Sequence, residues 1–164
     1  MSNFQHSSSS NKAASRKIQI ISWALVILWC MFIFFMSAHT GNDLDHGSGL
    51  VATVKAWLQT ILTPLFGPGS DVASVLGHFS EYLILGALLA HAFSRHPSLS
   101  IGVLVVGALA LGSFYGITDE LHQIFVPGRM CDIADWITDT LGCAVGIAGF
   151  LGVRTLYRKR KISA

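Results

Sequence analysis

Apolar residues are concentrated in four long runs along the chain, separated by shorter polar segments. The runs cover residues 18–36, 72–93, 99–118 and 133–156. Because about 20 apolar residues in a helix cross the roughly 30 Å hydrocarbon core of a bilayer, each run predicts a transmembrane helix. The third is expected to continue toward Ile124, before Pro127 and Gly128 turn the chain. We therefore predict an all-α, polytopic membrane protein with four transmembrane helices.

The segment 49–63, between the first two runs, has a different pattern. Its apolar positions recur at spacings of three and four residues, which is typical of an amphipathic helix. With one lysine and no acidic residue, the segment suits the membrane interface. We predict an interfacial amphipathic helix here, with a re-entrant hairpin as the alternative.

Composition excludes several classes of protein. Hydrophobic residues make up 52% of the 164 residues and charged residues only 12%, about half the roughly 25% charged residues of soluble domains. An ordinary soluble enzyme, a disordered chain and a nucleic-acid module are therefore excluded, and no nucleic-acid partner is expected. The three cysteines are an odd number and two lie in apolar runs, so no disulfide framework is predicted.

The chain divides into three regions. Residues 1–17 are polar and rich in serine, which predicts a disordered tail. A transmembrane domain follows over residues 18–156, and residues 157–164 form a short basic tail. The first apolar run is preceded by Arg16 and Lys17, as in a signal peptide. It is longer than a signal-peptide core and ends at a weak cleavage site, so we predict an uncleaved first helix.

The charges are distributed unevenly. All nine acidic residues lie between Asp43 and Asp139, whereas eight of the eleven lysines and arginines lie near the two ends of the chain, within residues 12–17 and 154–161. Cytoplasmic segments of membrane proteins carry the excess of lysine and arginine. Four spans with both termini in the cytoplasm place nine cations inside and only Lys55 and Arg129 outside. The acidic residues then lie toward the outer face.

The second span carries polar residues on one helical face. Ser74, His78, Glu81 and Leu85 are separated by four, three and four residues, and Tyr82 borders the same face. Glu81 lies about 13 Å into the helix. A charge facing lipid there costs about 3 kcal/mol, so this carboxylate must face the bundle, be paired or be protonated. An ion pair of Glu81 with His78 or Arg129 that only locks the helices is the structural alternative.

The third and fourth spans carry further polar positions near the same outer level. On the third, we expect Asp119, His122 and Gln123 to share a face and Glu120 to point elsewhere. On the fourth, polar and small residues form a single stripe, composed of Asp132, Asp135, Asp139, Gly142 and Gly146. Helix capping alone explains Asp132. Arg129, in the turn between the spans, either pairs with an acid or holds a phosphate or carboxylate.

The glycines of these two spans have a regular spacing. Gly112 and Gly116 of the third span, and Gly142 and Gly146 of the fourth, are each four residues apart. Such pairs allow two membrane helices to pack closely. Either the third span packs closely on the fourth, or the pattern reflects only the general abundance of glycine in membrane helices.

Residues near the same outer level are compatible with two further chemistries. Ser37 ends the first span near His39, which is compatible with a nucleophile, although serine in membrane helices often bonds to backbone carbonyls. Several histidines and acids near one level also suggest a metal ion. However, the spacings H-x-x-x-H and H-E-x-x-H are absent, and the candidate ligands come from separate segments, namely His39, His78, Glu81, His122 and Asp139. We predict no metal site and no cofactor.

Three motifs resemble the VanZ-like family of membrane proteins. Residues 115–142 read YGITDELHQIFVPGRMCDIADWITDTLG, with D-E-x-x-Q, P-G-R and D-x-x-x-[ND]-x-x-G in order; residues 78–82 read HFSEY; and Ser37 fits a third, weaker motif. The resemblance covers roughly residues 20–150. The positions it marks are Ser37, His78, Glu81, Tyr82, Asp119, Glu120, Gln123, Arg129, Asp135 and Asp139. This chain departs from many members at Val75, where they have lysine, and at Asp139, where they have asparagine.

The resemblance implies a bacterial membrane protein with a link to the cell envelope, since the family takes its name from a factor associated with resistance to teicoplanin. Our first hypothesis is a pocket at the outer face that binds a polar or anionic ligand, such as a membrane lipid or a lipid-linked wall precursor. The residues assigned to binding are Ser37, Tyr82, Glu120, His122, Gln123, Arg129, Asp135 and Asp139.

Two other hypotheses stay open. The second is an intramembrane hydrolase or transferase with Glu81 or His78 as general base and Asp119 assisting, since buried acids beside a histidine suit proton transfer. The third is a structural or transport accessory whose polar residues only hold helices together. Four spans are few for a transporter, unless a homo-oligomer forms the path.

Overall fold

The protein is a bundle of four long helices. The computed structural model describes residues 2–38, 53, 56–57, 60–61 and 72–162. The helices are α1 (Ser2–Ser37), α2 (Val72–Phe93), α3 (Ile101–Gln123) and α4 (Ile133–Ile162). Each is long and apolar enough to cross a membrane, and the described part of the chain contains no strand. The predicted all-α architecture with four membrane-spanning helices is confirmed.

Two helices extend beyond the predicted spans. Helix α1 begins at Ser2, so the segment predicted to be a disordered tail is helical, and no glycine or proline interrupts it. Helix α4 continues through the basic run to Ile162, where cations favour the negative end of the helix dipole. Most of the predicted interfacial helix at 49–63 lies outside the described residues, so it stays a prediction.

Local sequence sets the bounds of α3. The side chain of Ser100 accepts a hydrogen bond from the backbone N–H of Val103, which caps the first turn. The helix ends at Gln123, as expected from Pro127 and Gly128 beyond it. Gly128 has a φ of 79°, a conformation that favours glycine. The chain therefore turns tightly between α3 and α4.

Helices α2 and α4 lie side by side with their backbones in contact. A Cβ atom on Gly142 would lie 2.5 Å from the carbonyl oxygen of Phe79, and one on Gly146 would overlap the carbonyl oxygen of Leu83. On the facing helix, a Cβ on Gly86 would overlap the backbone of Cys143. Only a hydrogen atom fits at these positions, so glycine permits this approach.

The glycines of α3 have a different role from those of α4. Gly112 faces the side chains of Cys143 and Leu89, and Gly116 faces Trp136. Helix α3 therefore packs against α4 through side chains, whereas the glycines of α4 serve its contact with α2. The backbone contact is between the second and fourth spans, and not between the third and fourth.

Helix α1 is fastened to the bundle by hydrogen bonds from aromatic side chains. The indole N–H of Trp29 donates to the backbone carbonyl of Glu81 at 2.9 Å, and the Tyr115 hydroxyl donates to the carbonyl of Cys30. Large apolar residues on the outside of the bundle include Met31, Phe114 and Val153, each at least 63% exposed. An apolar surface of this kind matches lipid rather than water.

Because successive helices alternate in direction, each end of the bundle gathers residues from all four helices. At one end α1 stops at Ser37, α2 starts at Val72, α3 stops at Gln123 and α4 starts at Ile133. We call this the polar end. The opposite end carries the described cations Arg16, Lys17, Arg95, Arg154, Arg158, Lys159, Arg160 and Lys161. We call it the basic end.

Candidate functional site

A histidine and two aspartates connect α2 to α4 at the polar end. Nδ1 of His78 lies 3.1 Å from Oδ1 of Asp139, and its Nε2 lies 4.0 Å from Oδ2 of Asp135. His78 is 7% exposed and Asp139 is fully buried. The close backbone contact between the helices allows these side chains to meet, although 61 residues separate His78 from Asp139 along the chain.

The end of α3 contributes two more buried acids. The amide of Gln123 donates to Oδ2 of Asp119 at 3.4 Å and to Oε1 of Glu120 at 3.3 Å. Oε2 of Glu120 accepts the backbone N–H of Asp132 at 2.7 Å. Asp119 and Glu120 are each only 3% exposed. These donors fix the orientation of both carboxylates.

The orientation of Glu120 corrects the expectation that it points away from its neighbours. Counting along the helix separates Asp119 and Glu120 by about 100°. The chain after α3 turns back, however, and brings the backbone of Asp132 over the second carboxylate. Both acids are therefore buried, and the Glu120 carboxylate lies beneath the turn.

His78, Asp119, Glu120 and Asp139 form one buried cluster, which we call the acid–histidine cluster. One potential ligand atom from each residue lies within 4.8 Å of the other three. A rule based on spacing within one segment cannot detect such a set, since its members come from three helices. The absence of H-x-x-x-H and H-E-x-x-H therefore does not argue against a metal here.

Glu81 lies beside this cluster rather than within it. It is half-buried, and its backbone carbonyl accepts the indole N–H of Trp29. Its carboxylate is close enough to interact electrostatically with His78 and Arg129. Among the described residues, His78 pairs with acids of α4 and not with Glu81, so the His78–Glu81 ion pair given as a structural alternative is not formed.

Several buried polar atoms at the polar end have no hydrogen-bond partner among the described residues. They are Ser37 Oγ, Tyr82 OH, Asp119 Oδ1, His122 Nε2, Arg129 Nε and Asp139 Oδ2. The Ser37 hydroxyl is near the Asp119 carboxylate without reaching hydrogen-bond geometry. The imidazole of His122 stacks on Phe34, with 4.2 Å between the ring centroids. Donors and acceptors thus converge here from every helix.

Comparison with known proteins identifies the family. A family model described as VanZ/LLP1 matches residues 22–155, which is most of the chain. The chain belongs to the VanZ/LLP1 family. No curated protein and no solved structure matches the chain.

The positions marked by the VanZ-like motifs are spread along the sequence but lie together at the polar end. Ser37, Tyr82, Asp119, Gln123 and Asp139 are buried there. The remaining marked positions are His78 and Glu120 of the cluster, half-buried Glu81, Arg129 and Asp135. His122, which the motifs do not mark, completes the predicted set against Phe34. The structure brings all the predicted site residues to one end of the bundle.

Sequence reasoning missed the aromatic residues that support this site. The indole N–H of Trp136 donates to the carbonyl and the hydroxyl of Ser113, at 3.2 and 3.1 Å, which holds the start of α4 against α3. Tyr115 and Trp29 attach α1 in the same manner. The sequence offers one signal for these residues, which is a tryptophan or tyrosine inside an apolar run. The N–H or O–H group of such a side chain usually finds a hydrogen-bond partner when it is buried.

Proposed function

We propose that this VanZ-family membrane protein binds the polar headgroup of a lipid-borne ligand at the polar end of its bundle. The observation that supports this proposal is the convergence of six buried polar atoms without partners. Each such atom costs about 1–3 kcal/mol when it is left unsatisfied, and buried polar groups are normally paired. A ligand that supplies both donors and acceptors would remove this cost.

The charged residues at the polar end favour a headgroup that carries both phosphate oxygens and hydroxyl or ammonium groups. Arg129 is the cation of the turn and would hold a phosphate oxygen through its guanidinium. Ser37 and Tyr82 offer hydroxyls as further donors. The carboxylates of Asp119 and Asp139 would accept hydrogen bonds from hydroxyl or ammonium groups of the same headgroup. Phosphate-bearing membrane lipids and lipid-linked wall precursors share this chemistry.

The proposed setting is the bacterial cytoplasmic membrane. Cations are concentrated at the basic end, and the positive-inside rule assigns such an end to the cytoplasm. The polar end then lies at the outer face, where envelope precursors are used. A ligand of that kind would connect this protein with susceptibility to glycopeptides such as teicoplanin.

Thermal stabilisation of the purified protein by lipids tests headgroup binding. In a mild detergent, a polyprenyl phosphate or phosphatidylglycerol should raise the melting temperature of the wild type by several degrees, because ligands that bind only the folded state stabilise it. Diacylglycerol, which lacks the phosphate, should have little effect. Arg129→Gln should need at least tenfold more phosphate lipid for the same shift.

The matched control is Arg158→Gln, which changes the same residue type on an exposed position of the basic end. It should respond to the lipids as the wild type does. If Arg129→Gln were stabilised as strongly as Arg158→Gln, Arg129 would not be the anchor for the phosphate. Stabilisation by diacylglycerol equal to that by the phosphate lipids would contradict recognition of the headgroup.

The second candidate function is an intramembrane hydrolase or transferase. The observation that favours it is the His78–Asp139 hydrogen bond, because a buried carboxylate that orients an imidazole is a common arrangement for a general base. The same lipid samples separate the two functions. An unchanged lipid mass after incubation supports binding alone, whereas a cleaved or transferred headgroup supports catalysis.

A further inference from the structure

We propose that the acid–histidine cluster is a binding site for one divalent first-row metal ion, with Zn²⁺ or Mn²⁺ as the occupant. The ligands would be His78, Asp119, Glu120 and Asp139, each less than a tenth exposed. Unlike an ordinary cluster of surface acids, this one combines three carboxylates with an imidazole in the interior of the bundle. This proposal assigns the oxygens of Asp119 and Asp139 to a metal instead of to donors of the headgroup, and it leaves Arg129 as the contact for a phosphate.

The distances suit a metal with small side-chain adjustments. Metal–ligand bonds to nitrogen and carboxylate oxygen are about 2.0–2.2 Å, so ligand atoms are about 3.4 Å apart around a tetrahedral ion and up to about 4.2 Å apart around a six-coordinate ion. The four candidate atoms lie within 4.8 Å of one another. Rotation of the carboxylate side chains that moves their oxygens by about 1 Å closes this difference.

Oxygen atoms of the cluster without hydrogen-bond partners provide an independent reason to expect a cation. Oδ1 of Asp119 and Oδ2 of Asp139 are buried and accept no hydrogen bond from the described residues, although the other oxygen of each carboxylate has a partner. The hydroxyl of Tyr82, a residue with no exposed surface, is also unpartnered and is near enough to Asp139 to interact with it electrostatically. Buried charges need a counter-charge or a metal.

The surrounding residues resemble the outer shell of a metal site. Metal-binding histidines usually donate the second ring N–H to a carboxylate or carbonyl. Nδ1 of His78 is directed at the cluster and would bind the metal, so Nε2 would carry the second N–H. Nε2 lies 4.0 Å from a carboxylate oxygen of Asp135, which would accept this N–H. Gln123 and the backbone N–H of Asp132 orient the carboxylates of α3.

The ligand set limits the identity of the ion. Three oxygens and one imidazole nitrogen match Zn²⁺ and Mn²⁺, whereas Ca²⁺ and Mg²⁺ prefer oxygen throughout. The cluster contains no thiolate, which argues against copper(I) and iron–sulfur chemistry. Three carboxylates against one dication leave a net negative charge, which the nearby donors of Gln123 and Asp132 help to balance.

The experiment measures metal on the full-length protein in detergent without added lipid. Elemental analysis after purification without chelator should give close to one metal ion per chain for the wild type. After removal of the metal with EDTA, calorimetric titration with Zn²⁺ or Mn²⁺ should give one site. Asp119→Asn should weaken the affinity at least tenfold, since loss of a ligand typically costs this much or more.

Asp132→Asn is the matched control. It is the same chemical change a short distance away, on an exposed side chain that caps the backbone N–H of Ala134 and lies outside the cluster. It should bind metal as the wild type does. His78→Gln is a second test variant in case Asp119→Asn fails to fold, with helical circular dichroism as the check. Failure of the wild type to bind either ion, or equal binding by Asp119→Asn and Asp132→Asn, would overturn the proposal.

Discussion

Replacing Gly146 with alanine is expected to destabilise the bundle by about 1–3 kcal/mol, the usual cost of overpacking a well-packed interior. The new Cβ atom would overlap the carbonyl oxygen of Leu83 and would approach the backbone N–H of Ala87. Backbone atoms cannot rotate away, so α2 and α4 would have to separate. Because His78 and Asp139 meet across this contact, the site would be disturbed as well.

Gly149→Ala is the control for this substitution. Gly149 lies three residues further along α4, and a Cβ atom there would meet nothing within 4 Å. Alanine has a higher helix propensity than glycine by about 1 kcal/mol, so this variant should be as stable as the wild type or slightly more. Thermal unfolding in detergent, followed by circular dichroism, gives the comparison. Equal melting temperatures for the two variants would contradict the backbone contact between α2 and α4.

A membrane-impermeant maleimide added to intact bacterial cells is expected to label the protein almost completely at Cys131. This thiol is exposed in the turn between α3 and α4, at the polar end, whereas Cys143 is buried and Cys30 is partly buried within α1. If the polar end lies at the outer face, only Cys131 is both accessible and outside. Labelling is measured by the mass of the purified protein.

Two variants control the labelling experiment. Cys131→Ser should abolish labelling, which shows that the other thiols do not react. In that background Arg158→Cys, at the basic end, should be labelled only after the cells are permeabilised. Labelling of Arg158→Cys, but not of native Cys131, in intact cells would reverse the assigned orientation.

The sequence predicts the fold well because the bilayer constrains it strongly. Four apolar runs of sufficient length allow few other architectures. The alternating direction of the helices then places Ser37, His78, Asp119 and Asp139 at one end. Helix ends are harder to predict, as α1 and α4 illustrate. Their polar extensions contain no glycine or proline that breaks a helix, so hydropathy alone starts α1 too late and ends α4 too early.

The details of packing could not be predicted from spacing. Glycine pairs occur on both the third and the fourth spans, which suggests that these two helices pack together, yet Gly142 and Gly146 contact the backbone of α2. The spacing of glycines identifies a helix face that allows close approach, but it does not identify which other helix packs against that face. The burial of Glu120 depends on the turn that brings Asp132 to it, a contact across 12 residues.

The most direct measurement of the central claim, that the polar end binds a ligand, is native mass spectrometry of the wild-type protein extracted from its host membrane in mild detergent. The predicted result is one discrete adduct with the mass of a phosphate-containing lipid, retained after collisional activation has removed bulk lipid and depleted in Arg129→Gln but not in Arg158→Gln. Bare protein at the same activation, or adducts equally abundant in both variants, would contradict the claim.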